Sequence, residues 1–278
     1  MTDHVKDKVI IVTGAAGGFG RLISQKAAAR GAKLVCADVN AEGLAETVES
    51  ITDASGIASA HAVDVRDLGA MKALAAEAVS LHSCIDVMVN NAGVMPLAFY
   101  ADHEQAYEAW DRCIDINFKG VLHGIIAVYD QMVAQGCGHV VNLSSIYGNY
   151  SVTGAAVYGA TKAAVNFLSD SLRVEGQGKI KVTTIRPTGV PYTGLSAGVV
   201  NREAIVGILG QNMEPYMTAR AKALEGGLSN AEKSPDSPGY LVLEPEYIAD
   251  AVMTAIDQPW GVNLSDLTVR ATGDRFIL

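Results

Sequence analysis

A doubly wound α/β fold is predicted by three features of this chain. Short apolar runs alternate with helical stretches along its 278 residues, and a glycine-rich turn joins the first run to the first helix. A hydrophobic content of 49% is enough to bury one full core, and no internal repeat or linker divides the chain, so residues 1–278 are expected to form a single domain. Alternating strands and helices imply right-handed crossovers, and hence a parallel sheet covered by helices on both faces. Seven strands are expected, at residues 8–13, 33–37, 58–63, 85–90, 139–144, 181–186 and 267–271.

The first strand, Val9-Ile10-Ile11-Val12, leads into Thr13-Gly14-Ala15-Ala16-Gly17-Gly18-Phe19-Gly20 and then a helical stretch through Arg30. Glycines let the chain turn tightly and bring backbone close to a pyrophosphate, while the unpaired amides at the helix start attract the anion. Strand, turn and helix in this order are the context of a Rossmann-type dinucleotide site, which makes Gly14, Gly18, Phe19 and Gly20 candidate cofactor contacts. The second strand, from Lys33, ends at Asp38. A carboxylate there accepts hydrogen bonds from both adenosine ribose hydroxyls and repels a 2′-phosphate, so the expected cofactor is NAD rather than NADP. Val39 and Asn40 bring no compensating cation; Arg21 is the one near enough in sequence to compete.

The third strand leads to Ala62-Val63-Asp64-Val65, and the fourth ends in Asn90-Asn91-Ala92-Gly93. The fifth carries Val140-Val141-Asn142-Leu143 and leaves Ser145 at the carboxyl edge of the sheet, where ligands of open α/β folds bind. Beyond it, Tyr158-Gly159-Ala160-Thr161-Lys162 sets a phenol and an ammonium four positions apart, on one face of a helix. A fixed positive charge favours the phenolate and should draw the tyrosine below its ordinary pKa of ~10.

The glycine turn, Asp38, Asn90-Asn91-Ala92-Gly93 and Ser145 ahead of the Tyr-x-x-x-Lys run together resemble a compact, single-domain short-chain dehydrogenase/reductase. That resemblance implies a secondary alcohol–ketone oxidoreductase. Tyr158 is then the general base, Lys162 its tuner and a ligand of the nicotinamide ribose, and Ser145 the group that orients the substrate oxygen. It further implies that Asp64 and Val65 contact adenine, that Asn91, Ala92 and Gly93 support the cofactor, and that Asn117 holds a water linking Lys162 to solvent. Pro187, Thr188 and Val190 occupy the segment near the nicotinamide carboxamide, with Thr188 where the family usually has glycine and Thr193 one position late. Helices at Val121–Met132 and Ala155–Leu172 pair between subunits in this family, so a homodimer or homotetramer is expected.

The region of about 190–240 is the least family-like and reads as a substrate lid. Its stretch Asn201–Met217 carries Ile205, Val206, Ile208, Leu209, Met213 and Met217 at helix-compatible spacing, an apolar underside. Closed over Met95, Ile146, Tyr147, Val152 and Tyr192, it would form an apolar pocket with almost no cation. A small hydrophobic alcohol or ketone, cyclic and terpenoid-like, is the expected substrate. Two other readings stay open: an NADP-dependent reductase of ketones or carrier-bound ketoacyl groups, and a nucleotide-sensing protein without chemistry.

The net charge of −9 argues against a nucleic-acid surface or an anionic membrane partner. Cys36, Cys84, Cys113 and Cys137 lack metal-type spacing and read as reduced thiols, and the scattered histidines give no metal site. Met1-Thr2-Asp3-His4 has no signal-peptide shape and no apolar run is long enough to span a bilayer, so a cytoplasmic enzyme is expected.

Overall fold

The computed structural model describes residues 3–191 and 193–277. Its strands are β1 (Val9–Thr13), β2 (Lys33–Asp38), β3 (Ile57–Ala62), β4 (Val87–Asn90), β5 (Gly138–Leu143), β6 (Ile180–Pro187) and β7 (Asp266–Val269). All pair in parallel, in the order β3-β2-β1-β4-β5-β6-β7. The sheet is therefore the doubly wound one that the sequence predicts. The fourth strand starts later than expected because Asp86 is occupied at the start of β1: its carboxylate accepts from the Val9 amide at 2.8 Å and its own amide donates to the Val9 carbonyl at 3.0 Å.

The helices are α1 (Gly18–Ala29), α2 (Ala41–Asp53), α3 (Leu68–His82), α4 (His103–Cys113), α5 (Gly120–Ala134), α6 (Ala156–Glu175), α7 (Val206–Leu209), α8 (Met213–Leu224), α9 (Asn230–Lys233) and α10 (Pro245–Ile256). Strand periodicity sorts them into two layers. In β1, Ile10 and Val12 face a core shared with Ile23 of α1, Leu44 of α2 and Ile248 of α10. Ile11 faces the opposite core, with Met71 of α3, Val128 of α5 and Val165 of α6. Each such fully buried side chain contributes about 1.5–3 kcal/mol through removal from water, which fixes the register.

The winding reverses between β1 and β4, where open α/β sheets leave a crevice at the strand ends. Here that crevice is stitched by side chains. Thr13 Oγ accepts from the amides of Asn91 (3.0 Å) and Ala92 (3.2 Å), while the Asn91 carboxamide donates to the carbonyls of Thr13 (2.9 Å) and Gly14 (3.1 Å). Asn90 is scaffold: its amide donates to Asn142 Oδ1 at 2.8 Å, tying β4 to β5.

The lid differs from the single apolar helix expected over Asn201–Met217. Gly210, at φ +50°, opens a 3-10 turn (Gly210–Asn212) that separates α7 from α8, and another (Arg202–Ile205) leads into α7. Ile208 and Leu209 are fully buried and Ile205 and Met213 pack against them, but Met217 is turned to solvent.

Candidate active site

A cleft of about 920 Å³ runs along the carboxyl ends of β1, β4 and β5. At one end lies the start of α1. Asn40 caps α2 and Asp67 caps α3, whereas Gly17 at the start of α1 offers no side chain and the first turn holds no acid. Its amides are thus left for an anion. A Cβ on Gly17 would project into open space on the cleft floor, and Gly14, at φ +67°, would bring one within 2.8 Å of the Asn91 side-chain nitrogen. This bare, amide-lined cradle fits the diphosphate of a dinucleotide. Gly14, Gly18 and Phe19 line the cleft as expected, joined by Ala16 and Gly17. Gly20 does not: it is buried, and a Cβ there would sit 2.0 Å from the Gly14 carbonyl, so this glycine lets α1 approach the turn instead of touching a ligand.

Asp38 borders the same end, its carboxylate fixed by the amides of Ala16 (3.0 Å) and Asn40 (2.9 Å). Arg21 is not free to compete. Its guanidinium donates to the Ala16 and Gly43 carbonyls, to Thr47 and to Glu46 at 2.7 Å. Asp64 and Val65 line the cleft next to it, with Asp64 held below the usual carboxylate range by hydrogen bonds from Arg66.

At the other end α6 presents Tyr158 and Lys162 on one face, both buried, with Lys162 Nζ 5.9 Å from the Tyr158 ring centre. The ammonium donates to the Leu143 carbonyl at 2.7 Å, which anchors it to the end of β5. Ser145 follows that strand and its hydroxyl accepts from the Tyr147 amide at 3.2 Å. The electrostatics reverse the sequence expectation. Burial pushes the Tyr158 phenol up, with only a Ser145 hydrogen bond pulling the other way, and burial lowers Lys162 to about 8. In the chain alone, loss of water outweighs the neighbouring amine.

Asn117, fully buried, lies in a π-helical turn (Ile114–Lys119) between α4 and α5. Its carboxamide clamps Val94, accepting from the amide at 2.9 Å and donating to the carbonyl at 2.8 Å. It does not line the cleft, and its side chain is fully engaged. It is nonetheless next to the lysine: a Cβ on Gly93 would lie 3.3 Å from Asn117 Oδ1 and 3.7 Å from Lys162 Nζ. Asn91, Ala92 and Gly93 all line the cleft.

Pro187, Thr188 and Val190 line the cleft. The displaced glycine has a physical reason. A Cβ on Gly189 would fall 2.2 Å from the Phe276 ring, so the glycine stands where the carboxyl-terminal tail crosses the loop. Of the expected substrate contacts, Met95, Ile146 and Tyr147 line the cleft, and Tyr147 meets Tyr158 edge to face at 5.5 Å. Val152 does not; it packs behind, against the cluster of Leu97 and Tyr158. Tyr192 lies outside the described residues.

The roof overturns one expectation. Arg202, Arg220 and Arg275 line the cleft, so it is not free of cations. Tyr216 and Phe276, also unforeseen, complete its apolar surface. No local motif marks these residues, because they reach the cleft only through folding of the lid and tail. No metal-ligating cluster exists among the described residues.

Residues 8–204 match the family model described as short chain dehydrogenase. The chain belongs to that family. This short-chain dehydrogenase is 35% identical over 271 residues to the uncharacterized oxidoreductase Lin0452 of Listeria innocua, covering 96% of this chain and 98% of the relative. It is 32% identical over 260 residues to the NADP-dependent 3-hydroxy acid dehydrogenase YdfG of Shigella flexneri, covering 93% of each. Among solved structures, a short chain dehydrogenase/reductase from Burkholderia phymatum in complex with NAD superposes with a TM-score of 0.74 at 25% identity, over 96% of this chain and 90% of that one. The protein is accordingly an oxidoreductase of the NAD(P)-binding short-chain type.

Proposed function

We propose that this protein is an NAD-dependent oxidoreductase that interconverts a secondary alcohol with an apolar body and its ketone. One observation carries the reading: Ser145, hydrogen-bonded to Tyr158, and Lys162 line the same cleft as the bare glycine turn. In the oxidative direction Ser145 donates to the substrate oxygen and Tyr158 takes the hydroxyl proton, and reduction runs the same path backwards. When bound, the dinucleotide supplies the hydride acceptor and, in its oxidised form, a positive charge beside a phenol that burial otherwise keeps protonated. Gly14, Gly18, Phe19, Asp38, Asp64, Val65, Asn91, Ala92, Gly93, Pro187, Thr188 and Val190 would hold the dinucleotide, with Lys162 on the nicotinamide ribose. Asn117 positions Val94 and Gly93 beside that lysine, and because its side chain is engaged, any water relay through it uses the main chain.

The choice of NAD over NADP rests on Asp38 together with Arg21, whose charge is already met by Glu46. Likeness to an NADP-dependent relative favours the second reading. Parallel titrations of the two cofactors against a panel of secondary alcohols, followed by the absorbance of the reduced nicotinamide, decide between them. A homodimer or homotetramer is part of the proposal: Phe167 and Val174 on α6 and Ile126 on α5 are large apolar side chains left exposed. So is a cytoplasmic location, in keeping with four free cysteines; among the described residues no helix is long and apolar enough to cross a membrane.

A further inference from the structure

The roof of the cleft carries charge that an apolar alcohol would leave unused. Helix α8 turns Tyr216, Ala219, Arg220 and Ala223 toward the cleft, the spacing of one helical face. Tyr216 joins Ile146, Ile208 and Tyr147 in one apolar cluster, and Tyr147 in turn meets the Tyr158 ring. A continuous apolar path thus leads from the reacting phenol to Tyr216. Arg220 stands about 6 Å further along the helix axis, one turn on. Its charge is felt at Tyr216, where it opposes the upward push of burial on that phenol. Arg202 reaches the same side of the roof from between Val199, which packs on the Tyr158 cluster, and Ile205, which packs on the Tyr147 cluster.

These exposed guanidinium groups carry no partner among the described residues. Arg21, Arg30, Arg66, Arg173, Arg186 and Arg270 all form ion pairs. Among the described residues Arg202 and Arg220 form none and make no side-chain hydrogen bond, a condition shared by Arg275 of the tail and by Arg112, on α4 away from the cleft. The acids on the cleft are placed elsewhere or engaged. Asp38 and Asp64 border the adenosine end, and Asp274 is bound to Arg270. Arg275 faces both the cleft and an outer groove with Glu232, whose carboxylate is held low mainly by Ser229, with Lys222 and Arg275 adding to it. In a chain of net charge −9, two unneutralised arginines on the substrate side of the cleft form a local reversal of sign.

We infer that Arg220 and Arg202 form a subsite for an anionic group of the substrate, so that the preferred alcohol bears a carboxylate at the end remote from its carbinol carbon. The inference rests on the dehydrogenase reading and narrows its substrate class to amphipathic hydroxy acids: carbinol at Tyr158, apolar body along Tyr147, Ile208 and Tyr216, carboxylate at the arginines. The redox step is unchanged. The carbinol hydride goes to the nicotinamide, the hydroxyl proton to Tyr158, and the carboxylate takes no part beyond binding. Guanidinium groups match a carboxylate with two parallel hydrogen bonds, which gives orientation as well as attraction.

The test compares 4-hydroxycyclohexanecarboxylate and (ω−1)-hydroxy fatty acids from hexanoate to dodecanoate with their methyl esters, using NAD. At least one acid should show a KM ten or more times lower than its ester, an advantage that shrinks as salt is raised. In the Arg220→Gln, Arg202→Gln double variant the acid-to-ester ratio of kcat/KM should fall to within twofold of unity. Equal handling of acid and ester by the native enzyme, or a ratio untouched by the double variant, overturns the subsite. Calorimetry of the NADH complex with cyclohexanecarboxylate and the unhydroxylated fatty acids separates this from failure of the dehydrogenase reading. Binding lost in the double variant upholds the subsite even where no alcohol is oxidised, and absence of binding by all the acids overturns it.

Discussion

The two halves of the cleft are made differently. Its floor, from the glycine turn through Ser145 to Lys162, stands on the ends of strands whose side chains are buried on both faces. Its roof, residues 195–224 with the tail at 274–277, consists of short helices and turns held by a few contacts: the Ile277 amide on the Ile208 carbonyl at 3.0 Å, Asn212 on the Arg275 carbonyl at 2.9 Å, and Phe276 against Tyr216. A floor of this kind fixes atoms for a reaction common to many substrates, while a roof of this kind can change its lining without disturbing the sheet. Chemistry should therefore fail when the floor is altered, and selectivity should fail when the roof is.

The sharpest test of that division is Tyr158→Phe. The ring and its edge-to-face contact with Tyr147 remain, so the fold and dinucleotide binding should persist while kcat falls by about a thousandfold, within the range general acid–base groups contribute. Melting temperature and cofactor titration of the same sample separate loss of chemistry from loss of fold. Turnover close to native would mean that Tyr158 does not carry the proton and would end the distinction between floor and roof, whereas a native protein that binds dinucleotide but oxidises no alcohol would favour the nucleotide-sensing reading.

Asp38→Ser probes the floor at its other end. Removing the carboxylate leaves the Ala16 and Asn40 amides facing the cleft, where a 2′-phosphate could accept from them. The NAD-to-NADP ratio of kcat/KM should shift toward NADP by at least tenfold, about 1.4 kcal/mol, with kcat for the better cofactor retained. An unchanged ratio would mean that Asp38 does not face the ribose.

The same contrast explains what the sequence discloses. The strands, the glycine turn and the Tyr158–Lys162 pair are legible because short unbroken apolar runs, turn glycines and helical spacing are local properties. Even on the floor, tertiary packing overrides motif. Gly20 belongs to the glycine run yet serves the approach of α1, and Asn117 turns its carboxamide onto Val94. Desolvation of Tyr158 and Lys162 is likewise invisible in a linear spacing, since it depends on what closes over them. The roof arginines and Phe276 lie up to a hundred residues and more from the side chains they face, and nothing in their own neighbourhoods marks them.

Phe276→Ala tests the roof. The ring packs on Gly189, Tyr216 and the Ile208 cluster, and is half-buried, so its loss should cost about 2 kcal/mol, below the 3–5 kcal/mol of a fully buried phenylalanine. Melting should fall by roughly 4–8 °C. The functional signature is a KM several times higher with kcat nearly retained, and Phe276→Leu should recover most of it. A drop in kcat at constant KM would instead tie the tail to the chemistry of the floor.

The smallest effect concerns Lys162 in the cofactor-free enzyme. Burial lowers its pKa from 10.5 to about 8, so between these values the unfolded chain binds the proton that the folded chain has released. Stability must then rise with pH through that window. Cys36 and Cys113 act in the opposite sense, because burial pushes each from 9.0 up to about 11 and the unfolded chain gives up those protons first. The lysine contribution is therefore cleanest from about pH 8 to 9. Denaturant titrations across that interval should show stability rising in the native enzyme, and the difference between it and Lys162→Met isolates the lysine from every other group. A difference that does not vary with pH would mean that Lys162 stays charged beside Tyr158 even without cofactor, in which case the sequence expectation of a tuned phenol holds for the chain alone.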